Sequence, residues 1–98
     1  MPLKANQMRH LRSLAHNLKP VVLLGQQGLT EAVMAEIELA LEHHELIKVR
    51  IPGMDRDDKR NTIDAICEQS GAELVQAIGH MAVLFRKRAK DSQISLPH

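Results

Sequence analysis

Residues 25–28 read Gly-Gln-Gln-Gly, a set of residue types and a spacing that suit the binding of an anion such as phosphate. They follow a short apolar run at residues 21–24 and come just before Thr30, where a helical pattern begins. The first N–H groups of a helix have no partner within it and lie at the positive end of its dipole. The same pattern is also typical of a strand that simply turns into a helix, so these four residues alone leave both interpretations open.

Basic side chains that could neutralise further phosphates occur in three parts of the chain: the first predicted helix, a predicted strand and a segment near the C-terminus. They are Arg9, Arg12 and Lys19, then Lys48 and Arg50, and finally Arg86 and Lys87. The formal net charge is only +1, but residues 1–30 contain no acid, whereas residues 31–45 contain five glutamates and no Lys or Arg. This asymmetry predicts a basic side and an acidic side, although any single charge cluster is more often a solvated surface.

The sequence lacks a set of residues arranged for catalysis or for metal binding. The six histidines are scattered without ligand spacing, and the single cysteine, Cys67, falls on the apolar stripe of a predicted helix. We therefore expect no enzyme activity, no cofactor, no bound metal and no small-molecule substrate. One Phe and no Tyr or Trp argue against recognition of bases by stacking on aromatic side chains. The lone cysteine and the absence of a long apolar segment predict a cytoplasmic protein that does not cross a membrane.

The periodicity of apolar residues predicts an α/β fold in a single compact domain. Helical patterns cover residues 5–18, residues 30–43 and a third stretch that ends near Gly71. Strand patterns cover residues 21–24, 46–51, 74–78 and 81–85. The last two flank Gly79-His80, a two-residue spacing that favours a β-hairpin. The predicted order is α-β-α-β-α-β-β, with a four-stranded mixed sheet.

The predicted strand at residues 46–51 alternates in a way that bears on how the sheet is covered. Ile47, Val49 and Ile51 face one side, and Lys48 and Arg50 face the other. We therefore expect helices on one side of the sheet only, with the cations serving either function or solubility on the open side. Residues 1–90 are expected to form the domain, and residues 91–98 a C-terminal tail that is loosely ordered or docked by its apolar side chains.

An extended motif around the two glycines resembles a known family. Residues 14–31, Leu-Ala-His-Asn-Leu-Lys-Pro-Val-Val-Leu-Leu-Gly-Gln-Gln-Gly-Leu-Thr-Glu, closely resemble the bacterial YhbY family of stand-alone CRM domains, named for chloroplast RNA splicing and ribosome maturation. The resemblance continues through residues 38–51 and the closing hairpin, so it spans at least residues 3–86. It implies a fold similar to the C-terminal domain of bacterial translation initiation factor three. It also implies RNA binding and association with precursors of the large ribosomal subunit.

The resemblance also implies which residues contact RNA. Carried over by position, Gly25, Gln26, Gln27 and Gly28 would form the RNA-contacting loop, much as the GxxG loop of KH domains clamps a nucleic-acid backbone. The basic residues of the first helix, Arg9, Arg12 and Lys19, would flank that loop. Lys48, Arg50, Arg86 and Lys87 are added as further candidates for neutralising phosphates.

Two functional hypotheses from different classes follow. The first is a non-catalytic RNA-binding protein that acts on large-subunit ribosomal RNA during ribosome assembly. The second is a protein-interaction adaptor that docks a basic ribosomal protein on its acidic second helix, in which case the glycine turn would be purely structural.

Overall fold

The structure is a computed structural model that describes residues 3–25, 27–51, 53 and 55–97. Its elements are α1 (Ala5–Ala15), β1 (Val22–Leu23), α2 (Glu31–His44), β2 (Leu46–Arg50), α3 (Arg56–Ser70), β3 (Glu73–Ile78) and β4 (Met81–Phe85). The predicted element order and the four-stranded mixed sheet are confirmed. The first helix is shorter than predicted, since it ends at Ala15 rather than at position 18.

The strands lie in the order β1-β2-β4-β3, so β1 and β3 are the two edges of the sheet. β1 pairs in parallel with β2, because α2 carries the chain back to the starting end between them, and the other two pairings are antiparallel. The predicted hairpin joins β3 to β4. Gly79 has φ +55° and Ile78 pairs with Met81, which fits a glycine-first, two-residue turn.

Local sequence signals set the ends of α2 and α3. The Thr30 hydroxyl accepts a hydrogen bond from the Val33 N–H at 3.2 Å, as expected of a residue that caps a helix N-terminus. Asp55 caps α3 by accepting from the Asp58 N–H at 2.8 Å. Gly71, with φ +74°, ends α3 in the left-handed conformation that glycine adopts without steric cost.

One face of the sheet packs against α2 and α3 and forms the larger core. Ile47, Val49 and Ile51 of the β2 segment all belong to it, as their alternation predicts. The helices contribute Ile37 and Leu41 from α2, and Ile63 and Ile66 from α3.

The opposite face of the sheet is covered as well, so the expectation of helices on one side only is wrong. Leu11 and Ala15 of α1 are fully buried there against Val75, Val83 and Phe85. The alternation of β2 gave the wrong expectation for the sheet because it describes one strand and not the strands beside it. On this face β2 supplies Lys48 and Arg50 beside the buried Leu46, and β3 and β4 supply most of the apolar surface that α1 covers.

The C-terminal residues complete this second core rather than hanging free. Ile94 and Leu96 pack against it, and the Gln7 side chain donates a hydrogen bond to the Pro97 carbonyl at 3.0 Å. Of the two expectations for the tail, docking by Ile94 and Leu96 is the one observed.

Candidate nucleic-acid interface

The glycine loop closes on itself at the end of β1. The Gly28 N–H donates to the Gly25 carbonyl at 3.0 Å, and Gly28 has φ +71°, a conformation that favours glycine. Gln27 is exposed at the tip of this turn. Gln26, the other predicted contact residue of the loop, lies outside the described residues. Among its described residues, the loop therefore presents backbone and the neutral amide side chain of Gln27 to the solvent.

The loop leads directly into the N-terminus of α2. Of the four leading N–H groups of that helix, the one of Val33 is taken by the Thr30 hydroxyl. The positive end of the helix dipole lies beside the loop, which gives it a partial positive potential without a charged side chain. Glu31 in the first turn opposes that potential, so cations from elsewhere in the fold are needed for strong attraction to phosphate.

The glycine loop shares its end of the sheet with the end of β2 and with the β3–β4 turn. β1 and β2 run in parallel, so the loop after β1 lies next to the C-terminal end of β2. Arg50 at that end pairs with Met81, and the Ile51 N–H donates to the His80 carbonyl at 2.6 Å. The β3–β4 turn and the start of α3 therefore lie at this end too. We call it the glycine end.

A cleft of about 450 Å³ opens between α1 and the sheet, on the face opposite α2 and α3. Arg9 and Arg12 line it from the helix, and Lys48 lines it from β2. Ile78 and Met81, the residues that flank the hairpin turn, also line it, so the cleft extends toward the glycine end. Lys48, which is 36 positions from Arg12 in the sequence, is thereby brought to the same concave surface as Arg9 and Arg12. We call this surface the α1 cleft.

Lys19 and Arg50, two further basic residues that the sequence predicts as RNA contacts, lie beside the α1 cleft. Lys19 lines a neighbouring depression that shares Lys48 with the cleft, and its other walls include Leu18 and Val21. Arg50 is exposed and, by the alternation of β2, points to the same face as Lys48. The structure thus groups Arg9, Arg12 and Lys48, and it places Lys19 and Arg50 next to them.

Arg86 and Lys87 are not part of this group. β4 runs away from the glycine end, because Met81 pairs with Arg50 and Phe85 pairs with Leu46, so both residues lie at the far end of the sheet. Arg86 Nη1 contacts Glu38 Oε2 at 2.6 Å, and its Nη2 contacts Glu42 Oε2 at 3.2 Å. Lys87 lines a separate depression.

The α1 cleft contains polar side chains that the sequence did not single out as contact residues. His16, at the C-terminal end of α1, lies four positions after Arg12 and seven after Arg9, and this helical spacing was the available signal. Gln76 also lines the cleft, and no sequence signal could have found it. Its position depends on an irregularity in β3, where the pairing register shifts between Leu74 and Gln76.

The surroundings of Cys67 are those of a residue that packs against the core rather than those of a reactive thiol. Its side chain is half-buried against the larger core, and burial, together with the charges of Asp64 and Glu73, raises the pKa of the thiol. A raised pKa keeps the thiol protonated and poorly nucleophilic. Among the described residues, no three His, Cys, Asp or Glu side chains are placed to hold a metal ion. Within the same residues, no helix has both the length and the apolar character needed to cross a membrane.

Comparison with known proteins gives consistent relatives along the whole chain. A family model described as the CRS1 / YhbY (CRM) domain matches residues 3–86. The chain is 52% identical over 95 residues to a Haemophilus influenzae protein named RNA-binding protein, a match that covers 97% of this chain and 95% of that protein. A Bacillus subtilis protein named probable RNA-binding protein YqeI is 38% identical, in a match that covers 97% of this chain and 99% of that protein. The solution structure of a hypothetical protein from Staphylococcus aureus superposes with a TM-score of 0.84 at 40% identity, covering 98% of this chain and 100% of that one.

Proposed function

Because the chain belongs to the CRS1/YhbY (CRM) domain family, we propose that it is a non-catalytic RNA-binding protein. The observation that carries the proposal is the α1 cleft, where Arg9, Arg12 and Lys48 converge on one concave surface that extends toward the glycine end. The names of the relatives in Haemophilus influenzae and Bacillus subtilis support RNA as the ligand.

The proposed mechanism is capture of the RNA backbone. The glycine loop and the N-terminus of α2 hold one phosphate through backbone N–H groups and the helix dipole. Arg9, Arg12 and Lys48 neutralise neighbouring phosphates from the α1 cleft, and Lys19 and Arg50 extend the same surface. Contacts of this kind position the RNA but carry little sequence information, so the protein selects shape more than sequence.

We propose that the RNA is large-subunit ribosomal RNA in precursor particles, so that the protein acts in ribosome assembly in the cytoplasm. This target is the one that the resemblance to YhbY proteins implies. A backbone-reading surface suits it, because folding ribosomal RNA presents many phosphates in defined shapes and few accessible base edges.

The structure argues against the alternative of an acidic docking helix. Three of the five glutamates at residues 31–45 are used within the fold. Glu38 and Glu42 contact Arg86, and Glu45 is 1% exposed and binds the C-terminal segment. Glu31, Glu36 and Glu42 are exposed, but Arg86 compensates the charge of Glu42, so the uncompensated acidic surface left for docking a basic protein is small.

The proposal is tested by measuring binding to a large-subunit ribosomal RNA fragment at several salt concentrations. The logarithm of the association constant falls linearly as the logarithm of the salt concentration rises. Replacing Arg9 and Arg12 together by Gln should make this slope less steep by about 1.4 to 1.8, the contribution of two phosphate contacts. Both side chains are exposed, so the variant should fold, which circular dichroism checks.

The matched control is the double variant Lys87→Gln, Lys90→Gln, which removes the same charge outside the α1 cleft. Its salt slope should stay within error of the wild type. Equal losses in both variants would show that binding follows net charge rather than the cleft. A wild-type protein that binds no RNA at low salt would contradict the proposed function itself.

A further inference from the structure

A second basic concavity lies on the other face of the β3–β4 hairpin. It is a groove of about 730 Å³ between the first half of α3 and β3, an edge strand of the sheet. The basic side chains that line it are Arg56, Lys59, Arg60 and His80. We call it the α3 groove.

In the sequence, the three Arg and Lys residues of this groove are interspersed with aspartates, which suggests that the charges cancel. On the helix, however, the basic residues lie on a different side from Asp57 and Asp58. Positions 56, 59, 60 and 63 of α3 share one face, as residues three and four apart do on any helix, and they line the groove. Asp57 and Asp58 are exposed and do not line it. Among the described residues that line the groove, Asp64 is the one with a carboxylate.

The arginines of the groove are available to a ligand. Arg56 and Arg60 are exposed, and among the described residues neither has an ion pair or a hydrogen-bond partner for its side chain. Lys59 differs, since its Nζ donates to the Gly79 carbonyl and ties α3 to the hairpin turn. Lys59 therefore holds the two walls of the groove together, while Arg56 and Arg60 remain free at its rim.

The floor of the groove is apolar. Ile63, Leu74 and Ala77 line it, and Ala77 is exposed on the edge strand β3. A charged rim above an apolar floor suits an unstacked nucleotide, with phosphates on the arginines and a base or ribose on the floor. A duplex would keep its bases stacked inside and leave this floor unused.

The α3 groove and the α1 cleft are the two sides of one hairpin. Gln76 and Ile78 line the cleft, whereas Ala77 between them lines the groove, as the alternation of a strand requires. Both concavities reach the hairpin turn at the glycine end, where Met81 and Gly79 lie on their respective walls. A chain leaving one concavity therefore enters the other by crossing that turn.

We propose that the α3 groove is a second RNA-binding site, which takes a single-stranded segment continuous with the RNA held in the α1 cleft. The inference rests on the proposed RNA-binding function and deepens it. Arg56 and Arg60 bind phosphates, and the floor of Ile63, Leu74 and Ala77 receives a base or ribose. The RNA passes around the turn at Gly79 and His80.

The test is binding of a single-stranded RNA oligonucleotide by the full chain, followed by fluorescence anisotropy at several salt concentrations. Arg56→Gln with Arg60→Gln should lower the affinity about tenfold near 0.1 M salt and reduce the salt slope by about 1.4. The comparison variants are Arg9→Gln with Arg12→Gln, and the control Lys87→Gln with Lys90→Gln. Circular dichroism confirms that each variant is folded, and the single variant Arg60→Gln replaces the double one if folding is lost.

The outcomes separate the two proposals. Losses in both arginine pairs with an unchanged control support a continuous path through both concavities. If only the replacement of Arg9 and Arg12 lowers the affinity, the proposed RNA-binding function stands, but the α3 groove is not a second RNA-binding site. Equal losses in the α3 pair and the control also overturn it, because the effect would then be one of net charge. If the wild type binds no oligonucleotide and no ribosomal RNA fragment, the RNA-binding function falls with it.

Discussion

At the scale of single residues, the phosphate contact that we propose for the glycine loop involves no charged side chain, since residues 25–28 are Gly-Gln-Gln-Gly. Gln27 is exposed at its tip and is neutral, so the proposed attraction to phosphate would come from the backbone N–H groups and the dipole of α2. Glu31 lies in the first turn of that helix and already opposes an anion. We therefore expect that one added negative charge in the loop would weaken the proposed phosphate contact.

We expect Gln27→Asp to weaken binding to the ribosomal RNA fragment several-fold, because an aspartate at the tip repels the phosphate that the loop would hold. Gln27→Asn is the matched control, since it shortens the side chain without adding charge, and its affinity should stay near that of the wild type. Equilibrium binding at about 0.1 M salt, where charges are screened beyond roughly 10 Å, makes the comparison. Equal affinities of the two variants would show that the loop does not touch RNA.

At the scale of elements, Glu45 joins the end of α2 to the C-terminal segment. Its backbone has φ +62°, and its carboxylate accepts hydrogen bonds from the N–H groups of Arg88, Gln93 and Ile94 and from the Ser92 hydroxyl. Burial raises the pKa of this carboxyl, but the four hydrogen bonds outweigh that effect and the pKa lies below its ordinary value. The carboxylate thus holds in place the segment that brings Ile94 and Leu96 to the second core.

We expect Glu45→Gln to lower the free energy of unfolding by about 2 kcal/mol at neutral pH, because charge-assisted hydrogen bonds are lost and the new amide N–H groups face other donors. A lowered pKa contributes stability above the ordinary pKa of glutamate and loses it as the pH falls through the folded-state value. The difference between wild type and variant should therefore shrink below about pH 4. Urea unfolding at pH 7 and at acidic pH measures it. A difference that does not depend on pH would contradict this role of the charge.

Most of the elements could be predicted from the sequence because their signals are local. Thr30, Asp55 and Gly71 begin or end helices through contacts within a few residues, and the hairpin needs only a glycine at its turn. The coverage of the sheet could not be predicted in this way. The face that α1 covers is apolar only when β3 and β4 lie beside β2, and the alternation of a single strand does not contain its neighbours.

The same limit applied to the candidate site. Arg9 and Arg12 share a helix face, so their grouping could be predicted from spacing, but their meeting with Lys48 depends on how α1 crosses the sheet. Arg56 and Arg60 looked neutralised by nearby aspartates, because adjacency in sequence is not adjacency on a helix.

At the scale of the whole molecule, charge is divided between the two ends of the sheet. The α1 cleft and the α3 groove both extend to the glycine end, and among the described residues Arg9, Arg12, Arg56 and Arg60 have no ion pair there. At the far end, the guanidinium of Arg86 connects three elements, β4, α2 and α3. It extends from the end of β4 to the carboxylates of Glu38 and Glu42 on α2, and its Nη1 also donates to the Ser70 carbonyl at the end of α3 at 2.8 Å.

This division predicts opposite effects for two chemically identical substitutions. We expect Arg86→Gln to lower the free energy of unfolding by about 1 to 2 kcal/mol, because a half-buried guanidinium with three partners is lost and Glu38 is left without its cation. RNA affinity should change less than twofold. Arg12→Gln removes the same charge from the α1 cleft and should weaken RNA binding without a measurable change in stability, since Arg12 is exposed. Urea unfolding and equilibrium RNA binding on both variants make the comparison. If Arg86→Gln weakens RNA binding as much as Arg12→Gln does while the protein is fully folded, the far end also contacts RNA, and the division of roles between the two ends does not hold.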